Sequence, residues 1–310
     1  MNKTFIGNED AYRQLTGYLD MQHPGPLILY GKKGLGKRNA AEEAACAILG
    51  CGRDSLGHNG DFFLLDKKDG SIRVEDILSL LEKSSVAALG SCKVYLICHA
   101  EGMNVQAQNK LLKLLEDRNR TNVVILLCER DTLLETIKSR CLTISFYPLT
   151  TAEMNDYLSA KDVPKEDIGL AGFICGNYPY HWDEVSEYYP DLKDTCKEIQ
   201  SISQKEELFR VFRLIQEKDA GEFYSVHSSH YPEALSMIQY IFFSLLFSET
   251  ALPQGGGQEL SFGELGSLYT VPELSKICSE IARHQKKWLT ASYSKNDFFD
   301  LVRSMLQVFS

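Results

Sequence analysis

The sequence predicts a parallel α/β domain followed by a helical remainder, and three observations lead to this fold class. Short apolar runs alternate with helix-like segments through residues 1–147, which is typical of a parallel sheet covered on both faces. The strand signal ends at Pro148. A glycine-rich turn follows the first apolar run and precedes a helix-like segment, and this is the position of many anion-binding loops.

The elements of the first domain follow from length and periodicity. Apolar runs of strand length, bounded by turn residues, indicate buried strands. The predicted strands are 26–30, 61–66, 93–97, 122–128 and 142–147. The helices predicted between them are 37–49, 74–84 and 107–117.

The remainder of the chain is predicted to form two helical domains, over residues 148–190 and 191–310. Thr150 or Thr151 is expected to cap the first helix after Pro148, since threonine is a preferred N-cap residue. The segment 234–247 is apolar on nearly all sides, so we expect it to be the central helix of a bundle.

Composition restricts the classes of function. The chain has 310 residues, 44% hydrophobic residues and a net charge of -9, which indicates a soluble protein of two or three domains with protein partners rather than one that wraps nucleic acid. Its nine cysteines include no C-x-x-C pair, as expected of free thiols in a reducing compartment. No signal peptide or membrane-spanning segment is predicted. We therefore expect a cytoplasmic protein without membrane contact.

The glycine-rich turn has the G-x-x-x-x-G-K spacing of a Walker A phosphate loop, from Gly31 to Lys37, with a further glycine at Gly34 and the last at Gly36. Glycines allow backbone N–H groups to surround an anion, and the lysine reaches the outer phosphates. The next residue of a working loop is Ser or Thr, which binds magnesium. Here it is Arg38, so these five residues predict a degenerate phosphate site.

The second magnesium ligand is also missing. Cys98 and His99 follow the strand 93–97, where this fold class usually has Asp-Glu, and Glu101 is expected to point elsewhere. Adjacent residues such as Cys98 and His99 rarely bind one ion, so no metal site is predicted. Without magnesium the chain is not expected to hydrolyse ATP. No cofactor is required, although ATP, phosphate or sulfate binding in the loop without hydrolysis stays open.

Two further stretches resemble one family. Residues 109–117 read N-K-L-L-K-L-L-E-D and residues 136–141 read T-I-K-S-R-C, and both are similar to segments of bacterial clamp-loader ATPases. With the phosphate loop, they resemble the delta-prime subunit family of DNA polymerase III clamp loaders. The resemblance implies an AAA+-like domain over 1–147, a small helical lid over 148–190 and a helical collar for oligomerisation over 191–310.

The resemblance also implies roles for individual residues. Arg140 is expected to be an arginine finger that acts in trans on the ATP of a neighbouring subunit; the alternative is an ordinary surface or ion-paired arginine. Lys110 and Lys113 either contact the backbone of primer–template DNA or lie on a solvated helix face. Zinc is not expected, because Cys46, Cys51 and His58 lack the pairing of a zinc module.

The function implied is that of a non-hydrolysing clamp-loader subunit. Its expected partners are the clamp-loader ATPase and delta subunits, reached through the collar and the AAA+ faces. The sliding clamp and primer–template DNA would be contacted through the complex. Two alternatives stay open: an active ATPase with a non-standard site that uses Glu101 for metal, and a phosphate-loop scaffold in another replication or repair assembly.

Overall fold

A computed structural model describes residues 7–21, 24–67, 71–116, 121–201, 231–250, 268–290 and 301, and the structural statements below refer to these. The chain forms two compact units, Met1–Met154 with Tyr178–Tyr180, and Asn155–Asn177 with His181–Ser310. The division into 1–147, 148–190 and 191–310 stays a prediction. Much of the predicted collar, at 202–230, 251–267, 291–300 and 302–310, lies outside the described residues.

The first unit is built on a five-stranded sheet. Its strands are β1 (Leu27–Tyr30), β2 (Phe62–Leu65), β3 (Lys93–Ile97), β4 (Asn122–Cys128) and β5 (Leu142–Ser145). They lie in the order β2-β3-β4-β1-β5, and every neighbouring pair is parallel. The predicted parallel sheet is therefore confirmed, with each strand at its predicted place to within two residues.

Helices cover both faces of this sheet. They are α1 (Glu9–Leu19), α2 (Lys37–Leu49), α3 (Arg53–Leu56), α4 (Val74–Ser84), α5 (Val105–Leu115) and α6 (Glu135–Lys138). Leu27 and Leu29 of β1 pack with α1 and α2, whereas Ile28 points to the other face and packs with α4 and α5. This alternation follows from the two-residue period of a strand. Residue 117, the predicted end of α5, lies outside the described residues.

The remaining helices follow β5 in the chain. They are α7 (Thr151–Ala160), α8 (Ile168–Cys175), α9 (His181–Val185), α10 (Tyr189–Gln200), Tyr231–Thr250 and Val271–Thr290. Thr150 caps α7: its N–H and hydroxyl each donate to Glu153 Oε2 at 2.7 Å, and the Glu153 N–H donates to Thr150 Oγ1 at 3.2 Å. This is a capping box, and it confirms Thr150 as the predicted cap.

The helix Tyr231–Thr250 of the second unit is rich in apolar residues. It buries Met237, Ile241 and Phe242, each fully enclosed, and it packs against Val271–Thr290 and α8. The sequence predicted this central position from the run of apolar residues. None of the helices in the described part of the chain combines the length and the apolar content needed to span a bilayer.

Candidate functional site

The phosphate loop joins β1 to α2 at the carboxyl edge of the sheet. Gly31 donates its N–H to the carbonyl of Cys128 at 3.0 Å, which fixes the start of the loop to the end of β4. Gly36 has a φ of 89°, a left-handed conformation that favours glycine. A Cβ atom there would also lie 2.6 Å from Cε2 of Tyr180. The Tyr180 N–H donates to the Gly34 carbonyl at 3.1 Å, so the tyrosine packs directly on the loop.

Lys37 turns its amino group onto its own loop. Its Nζ donates to the carbonyl oxygens of Gly31 at 2.5 Å and Lys32 at 2.6 Å, and the side chain is buried. Burial lowers the pKa of this amine, and the nearby carboxylates of Glu129 and Glu101 oppose that shift. To accept a hydrogen bond from the Lys37 ammonium, a bound phosphate would have to replace these two carbonyl acceptors.

Arg38 occupies the position of the magnesium-binding hydroxyl. Its Nε donates to Glu42 Oε1 at 3.0 Å, and its Nη1 pairs with Asp66 Oδ2. The Arg38 guanidinium is therefore bound by two carboxylates of the same domain. A guanidinium has no acceptor atom and cannot ligate a cation, so this position contributes nothing to a magnesium site.

The end of β3 has an unexpected geometry. His99 adopts a left-handed backbone conformation with a φ of 54° and precedes the 3₁₀ turn Ala100–Gly102. This turn brings Glu101 back toward the end of β4, where Glu129 follows the strand. Ligand atoms of His99, Glu101 and Glu129 all lie within 4.8 Å of one another, and all three side chains are half-buried. The expectation that Glu101 points elsewhere is therefore wrong.

Cys98 lies beside this cluster but is itself enclosed. The side chain is buried, and burial raises the pKa of its thiol to about 11, with Asp66 adding to the shift. A thiol with that pKa stays protonated at neutral pH. It therefore lacks the thiolate character of a reactive or redox-active cysteine.

Arg140 lies just after α6 and presents its guanidinium at the surface. Nη1 donates to the Thr136 carbonyl at 2.8 Å, and Nη2 lies 2.8 Å from Glu116 Oε1. The side chains of Arg140 and Glu116 are 39% and 52% exposed. Ser139 Oγ donates to the same Thr136 carbonyl at 3.2 Å, which orders the turn before β5. The arginine is thus positioned by one carbonyl and one exposed carboxylate.

Helix α5 separates an exposed polar face from a buried one. Lys110 and Lys113 are both exposed, as is Glu116 one turn beyond Lys113. Residues three and four apart are neighbours on a helix, so the lysines and the partner of Arg140 lie along one surface. No described contact joins either lysine to a carboxylate.

Gln108 lies on the buried face of α5, and its role was not predicted from the sequence. Its Nε2 donates to the Met103 carbonyl at 3.1 Å, and its Oε1 accepts the N–H of Leu134 at 2.8 Å. The side chain is buried. This amide joins α5 to the segment that leads into α6 and Arg140. The signal was present as a polar residue inside the apolar stripe of the helix.

The predicted absence of a zinc module stays a prediction. Within the described ranges, ligand atoms of Cys46, Cys51 and His58 do not gather into a metal-ligand cluster. The three residues occupy the end of α2 and the short α3 region, and Cys46 and Cys51 have free thiols.

Comparison with known proteins gives the family context. Residues 8–150 match the family model described as "DNA polymerase III, delta subunit". DNA polymerase III subunit delta' of Bacillus subtilis is 36% identical over 165 residues, which cover 48% of this chain and 50% of that protein. The same subunit of Pseudomonas aeruginosa is 37% identical over 139 residues, 39% of this chain and 42% of that protein.

One solved structure shows the shared fold. A RuvB mutant of Thermotoga maritima superposes with a TM-score of 0.50 at 14% identity, covering 81% of this chain and 80% of that chain. The chain spans about half the length, or less, of the delta' subunits it matches. Over residues 8–150 the predicted resemblance to clamp-loader delta-prime subunits is confirmed.

Proposed function

We propose that this relative of the delta-prime subunits of bacterial DNA polymerase III is a non-hydrolysing clamp-loader subunit. In this role it supports ATP-dependent loading of a sliding clamp onto primed DNA and supplies Arg140 to the ATP of a neighbouring subunit. The observation that carries the proposal is the half-exposed Arg140 guanidinium, fixed at the surface by Glu116 and the Thr136 carbonyl, in a chain whose own phosphate loop lacks magnesium ligands.

The absence of hydrolysis is supported by two substitutions at the nucleotide edge. Arg38 replaces the hydroxyl that would bind magnesium and is already paired with Glu42 and Asp66. Cys98 and His99 replace the acidic pair after β3. Phosphoryl transfer depends mainly on charge neutralisation by the metal and on positioning, so a loop without these groups would bind an anion without cleaving it.

The trans-acting role of Arg140 is supported by its geometry and chemistry. A guanidinium offers a planar fork of donors that matches phosphate oxygens. Arg140 has one of these donor edges on an exposed carboxylate rather than in the core. An exposed ion pair contributes about 1 kcal/mol or less, so a triphosphate with several negative charges would displace Glu116 readily.

The partners follow from the same role. The clamp-loader ATPase and delta subunits would bind through the AAA+ faces and the predicted collar, and the sliding clamp through the assembled complex. Lys110 and Lys113 lie exposed on α5, where lysines bind DNA backbone without sequence preference. The exposed face of α5 that carries both lysines ends at Glu116, the partner of Arg140. DNA bound to these lysines would therefore lie close to the Arg140–Glu116 ion pair.

The test is hydrolysis by a reconstituted complex that contains this subunit as Arg140→Ala. Removal of an arginine finger costs about 10³-fold or more in rate at the site it serves. We expect single-turnover hydrolysis at the neighbouring site to slow by about that factor while the complex still assembles. Arg130→Ala is the matched control, because Arg130 is also exposed on the same domain. Unchanged single-turnover rates in Arg140→Ala would remove the basis of the trans-acting role.

The cluster of His99, Glu101 and Glu129 favours a second candidate function, an ATPase with a non-standard metal site. Its carboxylates lie near Lys37, close enough to influence the pKa of that amine. The discriminating measurement is phosphate release by the purified chain with magnesium and primed DNA. Turnover that Lys37→Ala abolishes would establish this second function and exclude the non-hydrolysing one.

A further inference from the structure

We propose that His99, Glu101 and Glu129 bind one divalent transition-metal ion of the zinc class at the carboxyl edge of the sheet. His99 and Glu101 follow β3, and Glu129 follows β4. No single continuous sequence motif therefore contains all three residues. A metal at this cluster is a premise of the second candidate function, but metal binding is measured here without nucleotide, so its outcome is separate from that of the hydrolysis assays.

The fold assembles the cluster from two neighbouring strands. β3 and β4 pair in parallel up to Ile97 and Leu126, so the residues that follow both strands emerge at one edge. The left-handed conformation of His99 and the 3₁₀ turn Ala100–Gly102 then return the chain toward Glu129. Such a conformation is uncommon for a residue other than glycine, and here it lets one short turn contribute both His99 and Glu101.

The spacing of the ligand atoms suits a small cation. They lie within 4.8 Å of one another. Nitrogen and oxygen ligands at about 2.1 Å from a tetrahedral metal lie about 3.4 Å apart. The three atoms would therefore have to approach one another by up to about 1.4 Å when a metal binds.

An independent observation points to a missing partner. Glu101 Oε2 is enclosed from solvent and has no hydrogen-bond partner among the described residues. A carboxylate oxygen that is enclosed without a hydrogen-bond donor from the protein is unfavourable. A cation between Glu101, Glu129 and the His99 imidazole would satisfy this oxygen.

The ligand types select the class of metal. Two carboxylates and a neutral imidazole carry a charge of about -2, which a divalent ion balances. Calcium and magnesium prefer oxygen ligands alone, whereas zinc, cobalt and manganese accept imidazole together with carboxylate. Three protein ligands leave a fourth position for water or an anion.

Lys37 provides the competing explanation of the two carboxylates. Its ammonium lies near Glu101 and Glu129, and they could serve only to keep that amine charged. However, the Lys37 ammonium donates its hydrogen bonds to two carbonyls of its own loop, and an ammonium gives His99 no role. Outside the cluster, Asp66 Oδ1 lies 3.8 Å from His99 Nε2, an ion-pair distance for a protonated imidazole but too long for a hydrogen bond. A metal accounts for all three side chains.

The experiment uses the full chain, stripped of metal with a chelator, and Co²⁺ as a spectroscopic probe. We expect one equivalent to bind with weak visible absorption and without the strong near-ultraviolet band of cobalt–thiolate bonds, which separates this site from the nine cysteines. Loss of an outer-shell partner typically weakens metal binding about 10–100-fold. Loss of a direct ligand should cost more, so we expect Glu101→Gln, Glu129→Gln and His99→Gln each to weaken binding by about 100-fold or more.

Controls keep the test independent of folding. His58→Gln and Glu75→Gln remove exposed residues elsewhere on the same domain and should bind cobalt as the unaltered chain does. Circular dichroism identifies any variant that fails to fold, and metal should raise the melting temperature of the unaltered chain but not of Glu129→Gln. The proposal would be overturned if the chain bound no cobalt or if the bound cobalt showed a thiolate band. It would also be overturned if Glu101→Gln and Glu129→Gln bound cobalt as tightly as the unaltered chain does.

Discussion

The phosphate loop and the Arg140 segment both carry cations suited to a triphosphate, but they hold those cations differently. Lys37 is buried and donates to two carbonyls of its own loop. Arg38 lies between Glu42 and Asp66. Arg140, in contrast, is 39% exposed and has one carboxylate partner, which is itself 52% exposed. The first region satisfies its charges within the domain, whereas the second keeps its charge at the surface.

This difference has an energetic consequence. To bind Lys37, a phosphate must replace two short hydrogen bonds in a partly desolvated site. To bind the Nη2 edge of Arg140, it must replace one exposed ion pair, worth about 0–1 kcal/mol, while Nη1 keeps its hydrogen bond to the Thr136 carbonyl. Under the proposed function we therefore expect this chain to bind its own nucleotide weakly and to donate Arg140 to a nucleotide held by a neighbour.

The largest expected effect separates the two cations within one assembled complex. Arg140→Ala should slow hydrolysis at the neighbouring site by about 10³-fold, whereas Lys37→Ala should leave turnover within about twofold of the unaltered complex, because Lys37 faces a loop that lacks the magnesium ligands this chemistry needs. Single-turnover hydrolysis by complexes with each variant gives both numbers under the same conditions.

The comparison fails if the two variants behave alike. A loss of turnover in Lys37→Ala as large as that in Arg140→Ala would mean that the phosphate loop takes part in the reaction. A folded but unassembled subunit would mimic this result, so complex formation has to be verified by size-exclusion chromatography for both.

The sequence predicted the sheet because each strand is a continuous apolar run, and burial on both faces requires that composition. It did not predict α1, although Ala11, Leu15 and Tyr18 recur every three to four residues and are buried. Their spacing is typical of an amphipathic helix, but the polar residues between them make the periodic pattern weak in the sequence. The order of elements was thus predictable, whereas an amphipathic element at the edge of the pattern was not.

The site was predictable only where spacing along the chain fixes the geometry. The segment 31–37 forms a local motif, and the loop follows from it. The cluster of His99, Glu101 and Glu129 depends on strand order and on one left-handed residue, neither of which sequence spacing reveals. Gln108 was missed for a similar reason, because its partners, the Met103 carbonyl and the Leu134 N–H, become neighbours only after folding.

The Gln108 amide attaches the segment that leads to Arg140 to α5. Gln108→Ala removes the acceptor of the part-buried Leu134 N–H and the donor to the buried Met103 carbonyl, and leaving a buried polar group without its partner costs about 1–3 kcal/mol. We expect the free energy of unfolding of the first unit to fall by about 1–3 kcal/mol, measured by urea titration of the full chain. Gln106→Ala, at an exposed position of the same helix, should change it by less than about 0.5 kcal/mol.

Equal destabilisation by the two glutamine variants would show that the buried hydrogen bonds do not determine the result. Since alanine is the best helix former, helix propensity alone should stabilise both variants slightly. The two explanations therefore differ in sign for Gln108→Ala, which makes the urea titration decisive for how the Arg140 segment is held.

The smallest expected effect concerns the ion pair that holds Arg140. Glu116→Gln removes one charge from an exposed pair at 2.8 Å, which is worth about 0.2–1 kcal/mol. Because Glu116 then competes less with the neighbouring nucleotide for Arg140, the subunit concentration that gives half-maximal turnover of the complex should fall by up to about fivefold. Glu135→Gln, which pairs with Lys138 at 2.6 Å on α6, should leave that concentration unchanged. A loss of turnover in Glu116→Gln as large as that in Arg140→Ala would instead mean that Glu116 orients the guanidinium for the reaction. Glu116 would then be a positioning residue and not a competitor for Arg140.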